Sequence, residues 1–213
     1  MIRKILIADD HVAVREGLVR ILMHEFPAAQ CQLAEEPAQI LELASTECFD
    51  LLVLDLSLPG RGGLDVIKRV KEVSPATAIL IYTVHPDDEF GVRSLRAGAD
   101  GYVTKDRSVE ELLTAIAKVA EGKRYLSEAL TERMANLVLN PSAAPPHETL
   151  SDRELQILQL LGAGLTPSVI AQRLNLSIKT VSTYRTRLLG KLDLQTTGEL
   201  IRYAIEHKIS ANP

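Results

Sequence analysis

Aromatic side chains are scarce, with five Tyr, three Phe and no Trp among 213 residues. That scarcity argues against a stacking platform for single-stranded nucleic acid. Cysteine is scarcer still. Cys31 and Cys48 share no CxxC spacing, so they are expected as free thiols of a cytosolic protein, with no disulfide framework and no metal site. The five histidines form no HExxH-like pair, and His11 is expected as a loop residue. No apolar stretch approaches the ~18 uninterrupted residues that a membrane span needs. The start, MIRKILIADD, is basic, but its apolar run stops at two aspartates and is too short for a signal peptide. These absences predict a cytoplasmic protein that does not engage a membrane. Neither GxxxxGKS/T nor GxGxxG occurs, which removes the loops that cradle nucleotide phosphates.

What is present is ordinary in bulk and ordered in detail. Hydrophobic residues make up 46% and charged residues 24%, as in soluble globular proteins. The length suits one large or two small domains. Short runs rich in Ile, Val and Leu recur at about 4–8, 31–34, 50–55, 78–83 and 100–104, with helical patterns between and after them at about 11–24, 37–47, 63–73, 87–97 and 108–121. This alternation predicts an α/β flavodoxin-like domain with a five-stranded parallel sheet, the run CQLA (Cys31–Ala34) lying at an edge. Ser108, with Glu111 three residues on, predicts a capping box for the last of these helices.

Beyond that domain the pattern changes. Residues 126–140 fit one more helix, and Asn140–Pro146 (NPSAAPP) then breaks all periodicity with three prolines, as a semi-stiff connector does. The expected division is a first domain over residues 1–122, a linker over 123–148 and a second domain over 149–213. The second domain reads as all-α, with four short helices at about 151–162, 167–174, 178–191 and 196–207. Gly162 and Gly164 end the first, Thr166 caps the second with Pro167 in its first turn, and Ser177 caps the third. Asn175-Leu176-Ser177 is then a tight turn between two helices, the signature of a helix-turn-helix. Charge follows the division. Residues 1–125 carry 15 Lys/Arg against 20 Asp/Glu, whereas residues 149–213 carry 8 against 5. A basic end on an acidic chain suits nucleic acid.

The chemistry of the first domain sits at its strand ends. Asp9 and Asp10 follow KILIA, Asp55 follows LLVL, Thr83 closes AILIYT and Lys105 follows GYVT. Ligands of doubly wound sheets bind at the carboxyl ends of the strands, so one topological rule gathers three carboxylates, a hydroxyl and an ammonium. Hard carboxylate oxygens suit Mg²⁺. A carboxylate beside that metal can attack phosphorus and become an acyl phosphate, while an ammonium offsets charge on the phosphoryl oxygens.

This set resembles the receiver domain of bacterial two-component response regulators over roughly residues 1–122, including the loop DLSLPGRGGLD (Asp55–Asp65) with its Pro59-Gly60 turn. The resemblance implies Asp55 as phosphoacceptor and Asp9 and Asp10 as Mg²⁺ ligands, with the main-chain carbonyl of Ser57 completing the metal shell. It implies Lys105 as the phosphoryl ion pair and Thr83 with Tyr102 as the switch pair, Tyr102 filling the space that Thr83 vacates. Two positions depart from the family's habit. Val84 stands where a small residue is usual and would narrow access to the phosphoryl group, and Asp106 stands where proline is usual.

The stretch Leu150–Ile209 resembles the four-helix LuxR/FixJ-type DNA-binding domain, through LSDRELQILQLL and IAQRLNLSIKTVSTYRTRLLGKL. Receiver plus this module is the layout of NarL/FixJ-class response regulators. On a helical wheel Val181, Tyr184, Leu188 and Leu192 cluster and face the core. The opposite face carries Lys179, Ser182, Thr183 and Thr186, with Arg187 on its edge, residue types that meet base edges and phosphates in a major groove, and Thr180 is a further candidate DNA contact. Lys191 reaches for phosphate from the helix end, and Arg185, near the core stripe, makes a phosphate or intramolecular contact. The family usually has histidine at the position of Tyr184. The resemblance further implies a histidine kinase, double-stranded DNA and RNA polymerase as partners, and a homodimer formed through the final helix, on phosphorylation or on DNA. Two other functions share part of the pattern. A Mg²⁺-dependent aspartyl-phosphate phosphatase would place a second carboxylate two residues after its nucleophile, where this chain has Ser57. A DNA binder with a receiver reduced to an interaction module would not need the full set Asp9, Asp10, Asp55, Thr83 and Lys105.

Overall fold

The computed structural model describes residues 2–58, 63–139, 145–207 and 209. The Pro59-Gly60 turn and residues 140–144 of the proline-rich break lie outside them. The chain forms two compact units, Met1–Asn136 and Leu137–Pro213.

In the first unit five parallel strands, β1 (Lys4–Ala8), β2 (Gln30–Ala34), β3 (Leu51–Leu54), β4 (Ala78–Thr83) and β5 (Gly101–Thr104), run in the order β2-β1-β3-β4-β5. The helices between and after them are α1 (Val12–Glu25), α2 (Pro37–Thr46), α3 (Gly63–Val73), α4 (Asp87–Ala97) and α5 (Val109–Ala120). The runs LLVL and KILIA are apolar at nearly every position because helices cover both faces of the sheet. Ile5, Ile7, Leu51, Val53, Leu80 and Val103 bury one face against Leu18 and Leu22 of α1 and Leu112, Ile116 and Val119 of α5. The alternate residues Leu6, Leu52, Leu54, Ile79 and Ile81 are equally buried on the other face. As expected, β2 is an edge strand, and its polar pattern QCQLA leaves most of it at least partly exposed.

Ser108 does cap α5, accepting from the Glu111 amide, but the reciprocal half of the expected capping box is missing. The Glu111 carboxylate instead accepts a hydrogen bond from the Tyr125 hydroxyl at 3.0 Å. Tyr125 also forms an isolated parallel bridge with Gly101. After it comes α6 (Glu128–Leu139).

From Pro146 on, the second unit holds a 3-10 turn, Pro146–Thr149, followed by α7 (Asp152–Gly162), α8 (Pro167–Arg173), α9 (Ile178–Leu192) and α10 (Thr197–Glu206). Ser177 and Thr166 cap their helices through the amides of Thr180 and Val169. Full capping boxes sit at Ser151 with Glu154 and at Thr196 with Glu199. Between α8 and α9, Asn175 takes the left-handed conformation at φ 51°, which asparagine tolerates better than most residues. Asn175 therefore makes the abrupt reversal of a helix-turn-helix possible.

Candidate functional site: an acidic pocket and an exposed helix face

The pocket is built by strand register. Ala8 pairs with Leu54, and Thr83 pairs with Thr104. The backbone then continues the ladder one residue further: Asp55 N–H donates to the Ala8 carbonyl at 2.8 Å, and Lys105 N–H to the Thr83 carbonyl at 2.8 Å. Asp9 and Asp55 therefore leave adjacent strands side by side, and Lys105 leaves β5, on the far side of β4. The Lys105 ammonium donates to Asp9 Oδ2 and to Asp55 Oδ2, each at 2.7 Å. Asp9 and Asp55 are each 2% exposed and Thr83 is fully buried.

Two buried carboxylates share one ammonium, so the pocket keeps a surplus of negative charge that favours a dication. Asp10 is exposed at the rim, and oxygens of Asp9, Asp10 and Asp55, with a ring nitrogen of His11, lie within 4.8 Å of one another. Burial presses the Lys105 pKa down, but hydrogen bonds to Asp55 and Asp9, with their charges, outweigh it and hold the pKa above the usual lysine value. The ammonium is therefore a fixed cation. Beneath the pocket the buried Arg15 guanidinium donates to the Asp9 carbonyl at 2.6 Å and pairs with Glu35. Nothing in the sequence pattern pointed to Arg15 as part of this loop.

Helix capping does not account for these side chains. The N-cap of α1 is His11, which makes no side-chain cap bond, and that of α4 is Pro86. His11 sits on the loop as expected, its Nδ1 2.7 Å from Asp10 Oδ1 and 3.3 Å from Asp9 Oδ1. Ser57 N–H donates to Asp55 Oδ1 at 3.1 Å, and Ser57 Oγ meets His85 Nε2 at 3.2 Å. Burial holds the His85 pKa below that of free histidine, so the ring is neutral at pH 7. Val84 is exposed.

Tyr102 is only 1% exposed. Its hydroxyl donates to the His85 carbonyl at 3.0 Å and reaches the Pro86 carbonyl at 3.4 Å. The ring thus already lies inside, tied to the residues that start α4.

In the second unit Val181, Leu188 and Leu192 of α9 are buried, as the helical wheel requires. Tyr184 departs from that stripe. It is half-buried, with the Arg187 guanidinium 5.7 Å from its ring centre. Arg185 is also half-buried, and its Nε is enclosed without a hydrogen-bond partner. Lys179, Thr183, Thr186 and Arg187 are exposed, with Thr180 and Ser182 intermediate. The hydroxyls of Thr183 and Thr186 donate to the carbonyls of Lys179 and Ser182. Each therefore presents acceptor lone pairs and a methyl group outward. Lys191 has a partner within its own domain: its ammonium lies 2.7 Å from the carboxylate of buried Glu154 on α7.

No helix among the described residues is long and apolar enough to cross a membrane. The response regulator receiver domain model matches residues 5–117, and that of bacterial regulatory proteins of the luxR family matches residues 148–204. Over 213 residues the chain is 36% identical to the oxygen regulatory protein NreC of Staphylococcus haemolyticus, covering 97% of this chain and 98% of that one. A solved LuxR-family response regulator from Aurantimonas is 33% identical, with a TM-score of 0.58 over 65% of this chain and 99% of its own. RcsB of Salmonella enterica serovar Typhimurium, solved on the rprA promoter with the phosphomimetic BeF3−, shares the fold at TM-score 0.67 and 24% identity over 95% of this chain and 98% of that one. Both domains, in this order and along nearly the whole length, place the chain among the two-component response regulators of the NarL/FixJ class, built from a receiver and a LuxR-type DNA-binding domain.

Proposed function

We propose that Asp55 accepts a phosphoryl group from a partner histidine kinase and thereby controls dimerisation, binding to double-stranded DNA and, through RNA polymerase, transcription. The observation that carries this reading is the single ammonium of Lys105 shared at 2.7 Å by Asp9 and Asp55. In phosphoryl transfer a carboxylate oxygen of Asp55 forms the new bond to phosphorus while the bond to the donor histidine nitrogen breaks. Lys105 meets an oxygen of the transferred group, and Thr83 donates its hydroxyl to another. Asp9, Asp10, Asp55 and the Ser57 carbonyl would hold Mg²⁺, whose charge balances the phosphoryl oxygens when it is bound. Ser57 leaves the position two after Asp55 without a carboxyl acid, which favours a lasting acyl phosphate over phosphatase turnover.

Thr83 and Tyr102 carry the signal onward in this reading. Charge-assisted hydrogen bonds contribute roughly 1.5–3 kcal/mol each, and moving a switch from 1:99 to 99:1 takes about 5.5 kcal/mol. Thr83 and Lys105 together reach that range. In the second domain Lys179, Thr180, Ser182, Thr183, Thr186 and Arg187 face the DNA, and Lys191 acts first as an anchor of α9 on Glu154. Two-fold pairing through α10 fits a roughly palindromic operator. The chain works in the cytoplasm, where kinase and DNA meet. The test is intact-mass analysis after incubation with acetyl phosphate or a phosphorylated kinase and Mg²⁺, followed by genomic-DNA capture with and without phosphodonor. One adduct, on Asp55, with enriched DNA sites that change on phosphorylation is expected. No adduct, or an adduct elsewhere, would overturn the assignment.

A further inference from the structure

Residues Tyr125–Leu130 cross from β5 to α4. Tyr125 lies along β5, where Tyr102 N–H donates to its carbonyl and its own N–H donates to the Asp100 carbonyl, both at 3.1 Å. Its hydroxyl is held by Glu111, and the Lys118 ammonium lies 5.4 Å from its ring centre. The passage is close. A Cβ on Gly101 would stand 2.8 Å from Leu80, 2.9 Å from Val119 and 3.3 Å from Tyr125.

Five residues on, Leu130 is 1% exposed. It fills a socket that exists because Gly91 of α4 has no side chain: a Cβ there would meet Leu130 at 2.6 Å. The segment is thus pinned at two points, one on β5 and one on α4. Those elements are joined a second time by Tyr102, whose amide meets Tyr125 and whose hydroxyl meets the carbonyls of His85 and Pro86 at the start of α4.

We infer that Tyr125–Leu130 is a strap that docks the start of α6 on the receiver, and that phosphorylation of Asp55 releases it. Lys105 belongs to the chain leaving β5, and Thr83 to the chain entering α4. A phosphoryl group on Asp55 comes between that carboxylate and the Lys105 ammonium, now 2.7 Å apart, and recruits the Thr83 hydroxyl, which changes the spacing of the strap's two anchors. Packed contacts of this kind are held or lost, because close-packed interiors do not stretch continuously. Release would free α6, the element leading to the DNA-binding domain. The proposal rests on Asp55 being the phosphoacceptor.

Hydrogen–deuterium exchange of the full chain, with Asp55 occupancy followed by intact mass, tests it. At full occupancy the amides of 125–135 should lose at least tenfold protection, while those of β1 and β3 keep theirs. Leu130→Ala, and separately Gly91→Ala, should show the same loss without phosphodonor. Full occupancy with unchanged protection at 125–135 overturns the strap alone, as does wild-type protection in Leu130→Ala. Absence of any adduct on Asp55 overturns the phosphoacceptor reading and the strap with it.

Discussion

The acidic pocket and the outer face of α9 solve recognition in opposite ways. In the pocket, carboxylates from two strand ends meet one ammonium from a third, Asp9 and Asp55 each being 2% exposed. On α9 the candidate contacts lie along one exposed face of a single helix, and the two outer threonines spend their hydroxyl protons on their own helix. A small dense anion needs preorganised charge in a low-dielectric setting, whereas a duplex is met by a surface with side chains free to adapt. Substitutions in the pocket should therefore act nearly all-or-none, and substitutions on the face should be graded.

The sharpest form of that contrast is Asp55→Asn. The amide keeps the shape and hydrogen-bonding reach but is no longer an anionic nucleophile. Phosphoryl incorporation from acetyl phosphate and Mg²⁺ should vanish in intact-mass spectra, with thermal stability near wild type. Incorporation at the wild-type level would mean that the pocket is not where the chemistry happens.

Lys105→Met comes next. It leaves Asp9 and Asp55 buried side by side without their shared cation, and breaking a buried charge pair typically costs about 3–5 kcal/mol. Urea unfolding of the receiver should show a loss of that order, and millimolar Mg²⁺ should restore more stability to the variant than it adds to wild type. If Mg²⁺ stabilises the variant no more than wild type, the carboxylates do not act together as a cation site.

How legible each region was in the sequence follows from the same contrast. Strand-end chemistry is readable because apolar runs such as LLVL announce their own ends and the parallel topology brings those ends together. The punctuation of the second domain is readable because Ser177 and Thr166 act within three residues of themselves. What escaped depends on contacts between distant residues. Glu154 and Lys191 are 37 positions apart, so no local pattern marks Lys191 as an anchor. Glu111 reads as the far half of a capping box until Tyr125 takes its carboxylate. Arg15 looks like an ordinary polar residue of an amphipathic helix, yet its guanidinium holds the Asp9 backbone. Tyr125 forms a single bridge with no period to detect. Resemblance singles out Tyr102, but its inward placement depends on the carbonyls of His85 and Pro86.

On the α9 face, Thr183→Ala and Thr186→Ala probe graded recognition. Each should leave folding intact, and whichever reads a base should lose roughly 1–3 kcal/mol of discrimination between the preferred site and its single-base variants. Arg187→Ala should instead weaken all sequences together and flatten the dependence of log K on log salt by about 0.9. Binding titrations at several salt concentrations separate the two behaviours. A uniform weakening by all three variants would show that this face meets only the phosphate backbone.

The smallest expected effect tests whether Lys191 belongs to the protein core or to the DNA. Glu154 is 3% exposed. Its burial raises the carboxyl pKa, but hydrogen bonds from Lys191 and Ser151 together with the lysine charge prevail and hold it below the usual glutamate value. A carboxyl whose pKa is lower folded than unfolded adds stability that is fully present above the unfolded value, near 4.5, and is lost as pH falls through the folded value. Glu154→Gln keeps the shape but exchanges charge-assisted bonds for neutral ones, a difference of about 1 kcal/mol. The variant should be less stable than wild type at pH 7, and the gap should close as the pH falls from about 4.5 through the folded pKa. Lys191→Ala should also lower stability at pH 7 while leaving the salt slope of DNA binding unchanged. A slope reduced by about one unit, with stability untouched, would instead move Lys191 out of the core and onto a phosphate.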